Sequence, residues 1–453
     1  MQRVTTIGRA AALARAATAL LDKLSPSVFV FALLLLACDR GSSQYDGPYA
    51  RLVAKYVPRI EKEIGLRFKT PPRLETRSSQ EVASFVRQQL ESDRAKALIE
   101  GQQAAYRLLG LIPDTMHLGD LLQRVLEEQI VGYYDPATKV LYVVDGAPEA
   151  LIDQTVSHEL VHALQDQYVN IDSIQAAVDD ADRQSAAQAV LEGQAVLMQM
   201  RLDPNTSTML KMPGGWDRIR DLIRDGSVGM PALASAPRAI REGLLFPYLG
   251  GADFVRRFIY QRPESELLSD LPISTHQILD DSAYFVGSAA ERGKPVTVEQ
   301  PVSGGTHVLF SNVLGEFETR LILAQHLRSD DLPRRASSGW AGDQLTVVRS
   351  VGGDALSWAS VWDTAVDAAN FLDALAEAMR LRYDLARPKI DQGSTQFVIN
   401  VPARDSTRNR SARIARTLSF RMEPRDGHPV VIFMDYPVRA SRPLDPARIV
   451  VRD

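Results

Sequence analysis

From Tyr49 to Leu66, apolar residues recur at the three-and-four spacing of one helix face: Leu52, Val53, Tyr56, Val57, Ile60 and Ile64. Pro71 and Pro72 then break the chain. The same spacing predicts a helix over Ser79–Glu100, with Val82, Phe85, Val86 and Leu90 on one side, and another over Leu118–Glu128. Two β-rich runs, 130–134 and Val140–Val144, flank the turn Asp135-Pro136-Ala137-Thr138 and predict a β-hairpin. Its last strand is expected to form a sheet edge on which a peptide can lie extended. Pro148 and Glu149 open a helix running to about Tyr168, and a further helix is expected over Asp182–Leu202. Residues 203–236, rich in Pro and Gly, read as a long loop or flap. Phe246–Arg262 reads as a turn followed by a helix, and Pro272–Tyr284 as irregular. Beyond about residue 295 the chain turns to Val- and Thr-rich runs. A helix over Thr364–Tyr383 and strands over Gln396–Pro402, Thr417–Glu423 and Pro429–Met434 follow. The pattern predicts an α+β protein: a mainly helical region with a small sheet over 49–295, then a mixed α+β region over 296–453.

The N-terminus has a different pattern. Arg3, Arg9, Arg15 and Lys23 precede an uninterrupted apolar run, Val28–Ala37. A bilayer takes roughly 20 residues to cross, so this run suits the apolar core of a signal peptide instead. It ends in Leu35-Leu36-Ala37-Cys38, which resembles a bacterial lipobox. In that motif the cysteine is lipidated and becomes the new N-terminus. Cys38 is the only cysteine in the chain, so it has no disulfide partner. The simpler alternative is a plain secretory signal with an incidental cysteine. On the lipoprotein reading, 1–37 is signal peptide and 38–48 a polar tether. Asp39 then resembles a signal for inner-membrane retention. The protein is placed on the periplasmic or extracellular face of a bacterial envelope.

Composition narrows the field further. With 453 residues, 45% hydrophobic and 24% charged, the chain has ordinary globular values. A net charge of −4 lacks the basic footprint of a nucleic-acid partner. Cleavage before Cys38 removes four basic residues and one acid and takes the charge to −7. A surface of that sign opposes docking on anionic lipid, so the lipid itself is the expected membrane anchor.

The chemistry concentrates in His158-Glu159-Leu160-Val161-His162. Residues four apart share a helix face, so both imidazoles can reach one metal ion with Glu159 beside it. Zinc accepts such nitrogen donors and, in catalytic sites, keeps one position open for water. Glu159 is then the general base that takes the water's proton and passes it to the leaving amine. Val156, Leu160, Val161 and Leu164 make one side of this helix apolar, so it packs against a core. Catalytic zinc takes a third protein ligand. No histidine follows closely downstream, which leaves a carboxylate. Glu192 stands among small and apolar neighbours in Val190-Leu-Glu-Gly-Gln-Ala195, where a buried acid needs a partner. Gly193 and Ala195 are expected to let this helix approach the one carrying the histidines. Asp166, one turn after His162, is either an orienting partner for a ligand histidine or a solvated acid. Tyr133 and Tyr134 either line the cleft or pack within the hairpin.

At this point the chain resembles the gluzincins, the thermolysin-like metallopeptidases with HExxH and a downstream glutamate. His158-Glu-Leu-Val-His-Ala-Leu-Gln-Asp-Gln167 is similar to the active-site helix of a group of bacterial zinc proteases. The similarity continues in Leu191–Ala195, in Phe246-Pro247-Tyr248 with Gly251, Phe254 and Val255, and in Leu271–Thr275. It is weaker at Gly339–Asp343. The resemblance implies a zincin-like domain, one Zn2+ held by His158, His162 and Glu192, and hydrolysis of peptide bonds in a protein or peptide substrate. One segment departs from the group. There, Ser-Thr continues Glu-Gln-Ile-Leu-His-Pro; here it continues His276-Gln-Ile-Leu-Asp280-Asp281, followed by Tyr284. If the group's histidine polarises the scissile carbonyl, the candidates here are His276, Tyr284 and Tyr248. The departure also motivates a second reading, a zinc-binding envelope lipoprotein that acts as a binding or assembly factor without turnover.

Overall fold

The first apolar stripe folds as α1 (Ala50–Ile64) and stops at Gly65, whose φ of 80° is open to glycine at little cost. The structure, a computed structural model, describes residues 45, 47–129, 131–176, 179–226, 230–286, 295–302, 307–329, 331–350, 352–387, 393–405 and 412–452. Cys38 and the signal segment lie outside them. After α1 comes β1 (Arg73–Arg77), then α2 (Ser79–Glu91), α3 (Asp93–Leu109) and α4 (Leu118–Gln129). The single helix expected over Ser79–Glu100 is therefore two. Ser92, extended at ψ 145°, ends the first and caps the second through Ala95 N–H.

The hairpin forms as expected from β2 (Gly132–Asp135) and β3 (Val140–Val144), but its last strand is no edge. β3 lies in the middle of a three-stranded sheet, with β2 antiparallel on one side and β1 parallel on the other. Only Leu74 of β1 is buried, so that strand carries no apolar alternation to reveal it. Its place comes from backbone pairing with β3.

Next come α5 (Glu149–Gln165), α6 (Ile171–Ala176) and α7 (Ala181–Leu202). The expected loop over 203–236 holds three helices instead: α8 (Pro204–Leu210), α9 (Gly215–Gly226) and α10 (Pro231–Ala234). Its prolines mark helix starts. Pro204 and Pro231 occupy first-turn positions, where the missing N–H costs nothing. The long α11 (Arg238–Gln261) runs through Pro247, where a turn was expected. The lost hydrogen bond is offset by burial of Leu244, Leu245, Phe246 and Tyr248 on both sides of the proline. Two short helices, α12 (Thr275–Leu279) and α13 (Asp281–Phe285), replace the irregular segment.

The C-terminal region starts with β4 (Thr297–Glu299), β5 (His307–Asn312), α14 (Gly315–His326) and α15 (Asp331–Ser337). It continues with β6 (Trp340–Ser350), β7 (Gly353–Trp362), α16 (Ala365–Tyr383), β8 (Gln396–Val401), β9 (Arg416–Arg425), β10 (His428–Pro437) and β11 (Val450–Arg452). Six strands form an antiparallel sheet in the order β5-β6-β7-β10-β9-β8, and β4 pairs with β11. Alternation sorts the two faces. Val347, Leu356, Trp358, Val431 and Phe433 join the main core, while Val348, Ala355, Val430, Ile432 and Met434 pack beneath β4 and β11. The chain is α+β, as its pattern predicted. The main core also takes in Leu109 of α3 and Tyr248 and Leu249 of α11, so one apolar mass runs from the helices into the large sheet.

α7 is held on two sides. Ala195 shares a cluster with Val156, Leu160 and Leu164 of α5. Gly193, expected to face α5 as well, faces α11: a Cβ added to it would lie 2.2 Å from the Gly251 carbonyl carbon. A Cβ on Gly251 would lie 1.9 Å from the Ala189 carbonyl oxygen, so the two backbones cross in contact. Gly251→Ala is expected to destabilise the protein by about 1–3 kcal/mol, because backbone must move to admit the methyl group. A thermal melt that matches wild type would refute this.

Candidate metal centre

α5 and α7 together build a site that neither could form alone. The stretch Thr155–Gln165 of α5 is buried throughout, so His158 and Glu159 are 1% and 4% exposed and His162 is 8% exposed. Glu192 of α7 is equally enclosed. His158 Nε2 and His162 Nε2 are 3.1 Å apart, and Glu192 Oε2 lies 3.4 Å from the first and 3.5 Å from the second. These three atoms form a nearly equilateral triangle. A point about 2 Å from all three exists at its centre, which is the length of a zinc–nitrogen or zinc–oxygen bond. Glu192 Oε2 is fully buried and accepts no hydrogen bond. Among the described residues these are the ones placed to hold a metal ion.

Hydrogen bonds on the far side of each ring decide its tautomer. His162 Nδ1 is 2.8 Å from Gln165 Oε1. Gln165 Nε2 donates to the Leu191 carbonyl and to Gln194 Oε1, both at 2.9 Å, so its oxygen must face the ring. His162 Nδ1 therefore carries the proton, and the lone pair of Nε2 points into the triangle. Gln194 in turn donates to Glu264 Oε1 at 3.2 Å, and Arg201 closes the chain at 2.6 Å from Glu264 Oε2. His158 Nδ1 is 3.3 Å from Gln199 Oε1 in the same sense. Two lone pairs and a carboxylate oxygen aimed at one dry point repel each other unless a cation sits between them. In the bare site a proton plays that part. Burial would lower the His162 pKa, but the Glu192 charge outweighs it and lifts it to about 9. Burial pushes Glu192 up, and the two imidazoles pull it down to about 2. The donor set fits a divalent ion, which replaces that proton.

Glu159 stands beside the triangle. Its Oε2 accepts the Tyr134 backbone N–H of β2 at 2.8 Å. Burial raises its pKa, against the pull of His162 and His158. Tyr134 is anchored by its hydroxyl, which donates to Asp166 Oδ2 at 2.7 Å; Lys139 Nζ is 2.5 Å from the same oxygen. Asp166 thus ties the hairpin to the end of α5, and Gln165, its neighbour, orients the ligand histidine. Gln165→Ala is expected to weaken metal binding about 10–100-fold, the usual cost of an outer partner. Competition with a chromophoric chelator measures this, and unchanged affinity would remove Gln165 from the role.

A cavity of about 230 Å³ opens on His162 and Glu192. Gln184, Ser185 and Gln188 of α7 and Tyr134 give it a polar side, and Leu98 and Leu122 of α3 and α4 contribute to an apolar one. His276, Tyr284 and Tyr248 do not line it. His276 Nδ1 sits 2.5 Å from Glu316 Oε2 of α14. Tyr284 donates to the Asp270 carbonyl at 2.5 Å inside a cluster with Phe254, Phe258 and Phe285, and Tyr248 lies in the main core. Asp280, the departure in that segment, caps α13 through Ser282 N–H. Tyr133 packs between Phe85 of α2 and Tyr142 of β3.

The partners Gln165, Gln194 and Gln199 escaped the sequence reading. Their only signal is spacing: three residues after His162, and two and seven after Glu192. Comparison with known proteins bears on another part of the chain. A family model described as Domain of unknown function (DUF8575) matches residues 306–432. The match spans β5 to β10 and contains no residue of the metal cluster. No curated protein and no solved structure matches the chain.

Proposed function

We propose that this chain is a zinc metallopeptidase, held at the bacterial envelope by a lipid on Cys38, which hydrolyses peptide bonds in proteins or peptides. The observation that carries the reading is the buried triangle of His158, His162 and Glu192 with Glu159 held beside it by Tyr134 N–H. Two imidazoles and one carboxylate, with room for water, are the donor set of catalytic zinc. Zinc in that position supplies a Lewis acid that makes water nucleophilic near neutral pH. Glu159 does the proton work. Its Oε2 is fixed by Tyr134, which leaves Oε1 to take a proton from the attacking water and deliver it to the leaving amine. Its burial keeps the carboxyl basic enough to accept that proton. The charges of Glu159 and Glu192, both buried, together balance a dication.

No helix among the described residues is long and apolar enough to cross a membrane. A second reading, a zinc-bearing binding lipoprotein without turnover, draws on His276, Tyr284 and Tyr248 standing off the cavity. One assay separates the two. The chain is incubated with a mixed peptide library, with and without a chelator. Cleavage that the chelator abolishes and one equivalent of zinc restores is the expected result. Zinc bound without any cleavage would sink the peptidase and favour the binding protein.

A further inference from the structure

Glu159 is held by a backbone N–H of β2, and β2 is an edge strand, paired on one side only. Val144 N–H donates to the Val131 carbonyl at 2.7 Å, and the pairs alternate from there. Tyr133, opposite Tyr142, turns its backbone groups to β3. Gly132 and Tyr134 turn theirs outward, to α5. A slip of one residue would reverse this and take the donor away from Glu159. Where β2 lies along α5 therefore decides whether the carboxylate is held.

Contacts at Thr155, Glu159 and Asp166, which share one stripe of α5 and its C-terminal cap, set that position. At one end the strand touches the helix with no room for a side chain. A Cβ on Gly132 would lie 2.8 Å from Thr155 Cγ2 and 2.7 Å from the Tyr142 carbonyl oxygen. At the other end Asp166 Oδ2 accepts the Tyr134 hydroxyl at 2.7 Å and the Lys139 ammonium at 2.5 Å. Its Oδ1 accepts the Ile171 N–H at 3.2 Å, so the carboxylate is fixed on both sides. The Asp166 side chain is wholly buried, while that of Lys139 is 58% exposed.

Lys139 also has an unusual backbone. Its φ is 60°, in the left-handed region that glycine enters without strain. The turn itself is closed by backbone and by Asp135: Lys139 N–H donates to the Asp135 carbonyl at 2.8 Å, and Ala137 N–H to Asp135 Oδ1 at 3.0 Å. Glycine would serve that turn better. What lysine adds is the ammonium on Asp166, and a strained residue kept for its side chain points to a role for that side chain.

We propose that Lys139 and Asp166 are positioning residues for Glu159. With the close contact at Gly132 they clamp β2 along α5 and hold the Tyr134 N–H on the carboxylate. Neither touches the reacting atoms. They act through Tyr134, whose backbone meets Glu159 and whose hydroxyl meets Asp166. The catalytic consequence rests on the reading of Glu159 as general base; the clamp itself does not.

The test uses the full chain loaded with zinc, with Lys139→Gly and Asp166→Ala. Hydrogen exchange at single amides is followed together with zinc content and peptide hydrolysis. Exchange at the Tyr134 amide is expected to speed up about tenfold or more, with Val144 unchanged, because β2 loosens from α5 and not from β3. kcat should fall about 10–100-fold with KM and zinc content unchanged, the range for a partner one step removed from the chemistry. Asp166→Asn keeps an acceptor for the Tyr134 hydroxyl and should recover part of both effects. A purely structural lysine predicts the opposite for Lys139→Gly: a turn relieved of strain, with exchange and kcat at wild-type values. Lys139→Gly lies in an exposed turn and carries the test if Asp166→Ala does not fold. If the wild type cleaves no peptide, the peptidase reading fails alone, and exchange at Tyr134 still decides the clamp. Unchanged Tyr134 exchange in the folded variants, or faster exchange with unchanged kcat, would overturn the proposal.

Discussion

Replacing Glu159 by Gln is expected to lower kcat/KM about 10²–10⁴-fold, the usual contribution of a general base, while one zinc per chain is retained. The amide has almost the same shape and can still accept the Tyr134 N–H through its oxygen, so the hairpin stays seated on α5. The difference is proton affinity: an amide cannot take a proton from water near neutral pH. No ligand atom changes, so metal content separates loss of the base from loss of the site. Peptide hydrolysis and elemental mass spectrometry on the same sample check both halves. Full activity in this variant would end the proposed mechanism.

Glu192→Ala is expected to have the larger effect on the metal itself. It removes the one anionic ligand and leaves two imidazole lone pairs 3.1 Å apart with no carboxylate between them. The loss of affinity should exceed the roughly 100-fold that marks the upper range for an outer partner. Glu192→Gln refines the result, because it keeps volume and one oxygen but removes the charge that balances a dication. Both variants should leave the α7–α11 crossing intact, since that contact runs through Gly193 and Gly251 and not through the carboxylate. Zinc retained at wild-type affinity in Glu192→Ala would mean that a different third ligand completes the site.

These two effects rest on features with different legibility in the chain. The pair His158 and His162 is local: four residues on a helix place both rings on one face whatever the rest of the protein does. Glu192 was readable as a charge among small apolar residues on a long helix, and the structure brings it to the histidines. Asp166 was readable as an acid near the end of α5 but not for its partner. Its carboxylate meets Tyr134 and Lys139, which are distant in sequence and arrive only with the hairpin. His276 and Tyr284 were candidates because a family pattern departs there. Their side chains instead close contacts with Glu316 and the Asp270 carbonyl, set by how α12 and α13 pack.

The sequence by itself determined what depends on near neighbours: the helix stripes, the hairpin, the HExxH face, and the strand alternation that sorts the large sheet into two covered faces. Tertiary structure decided what depends on distant burial. β1 is a polar strand recruited by backbone pairing, and α11 continues through Pro247 because the residues around it are buried. Gly193 serves the crossing with α11, and the Gln165–Gln194–Glu264 chain orients a histidine from α5, α7 and the segment after α11. Helical periodicity is a property of 3.6 residues and can be read in a short window. A helix crossing or a hydrogen-bond relay joins residues up to 70 positions apart, and its stability comes from excluding water between them, which no local window contains.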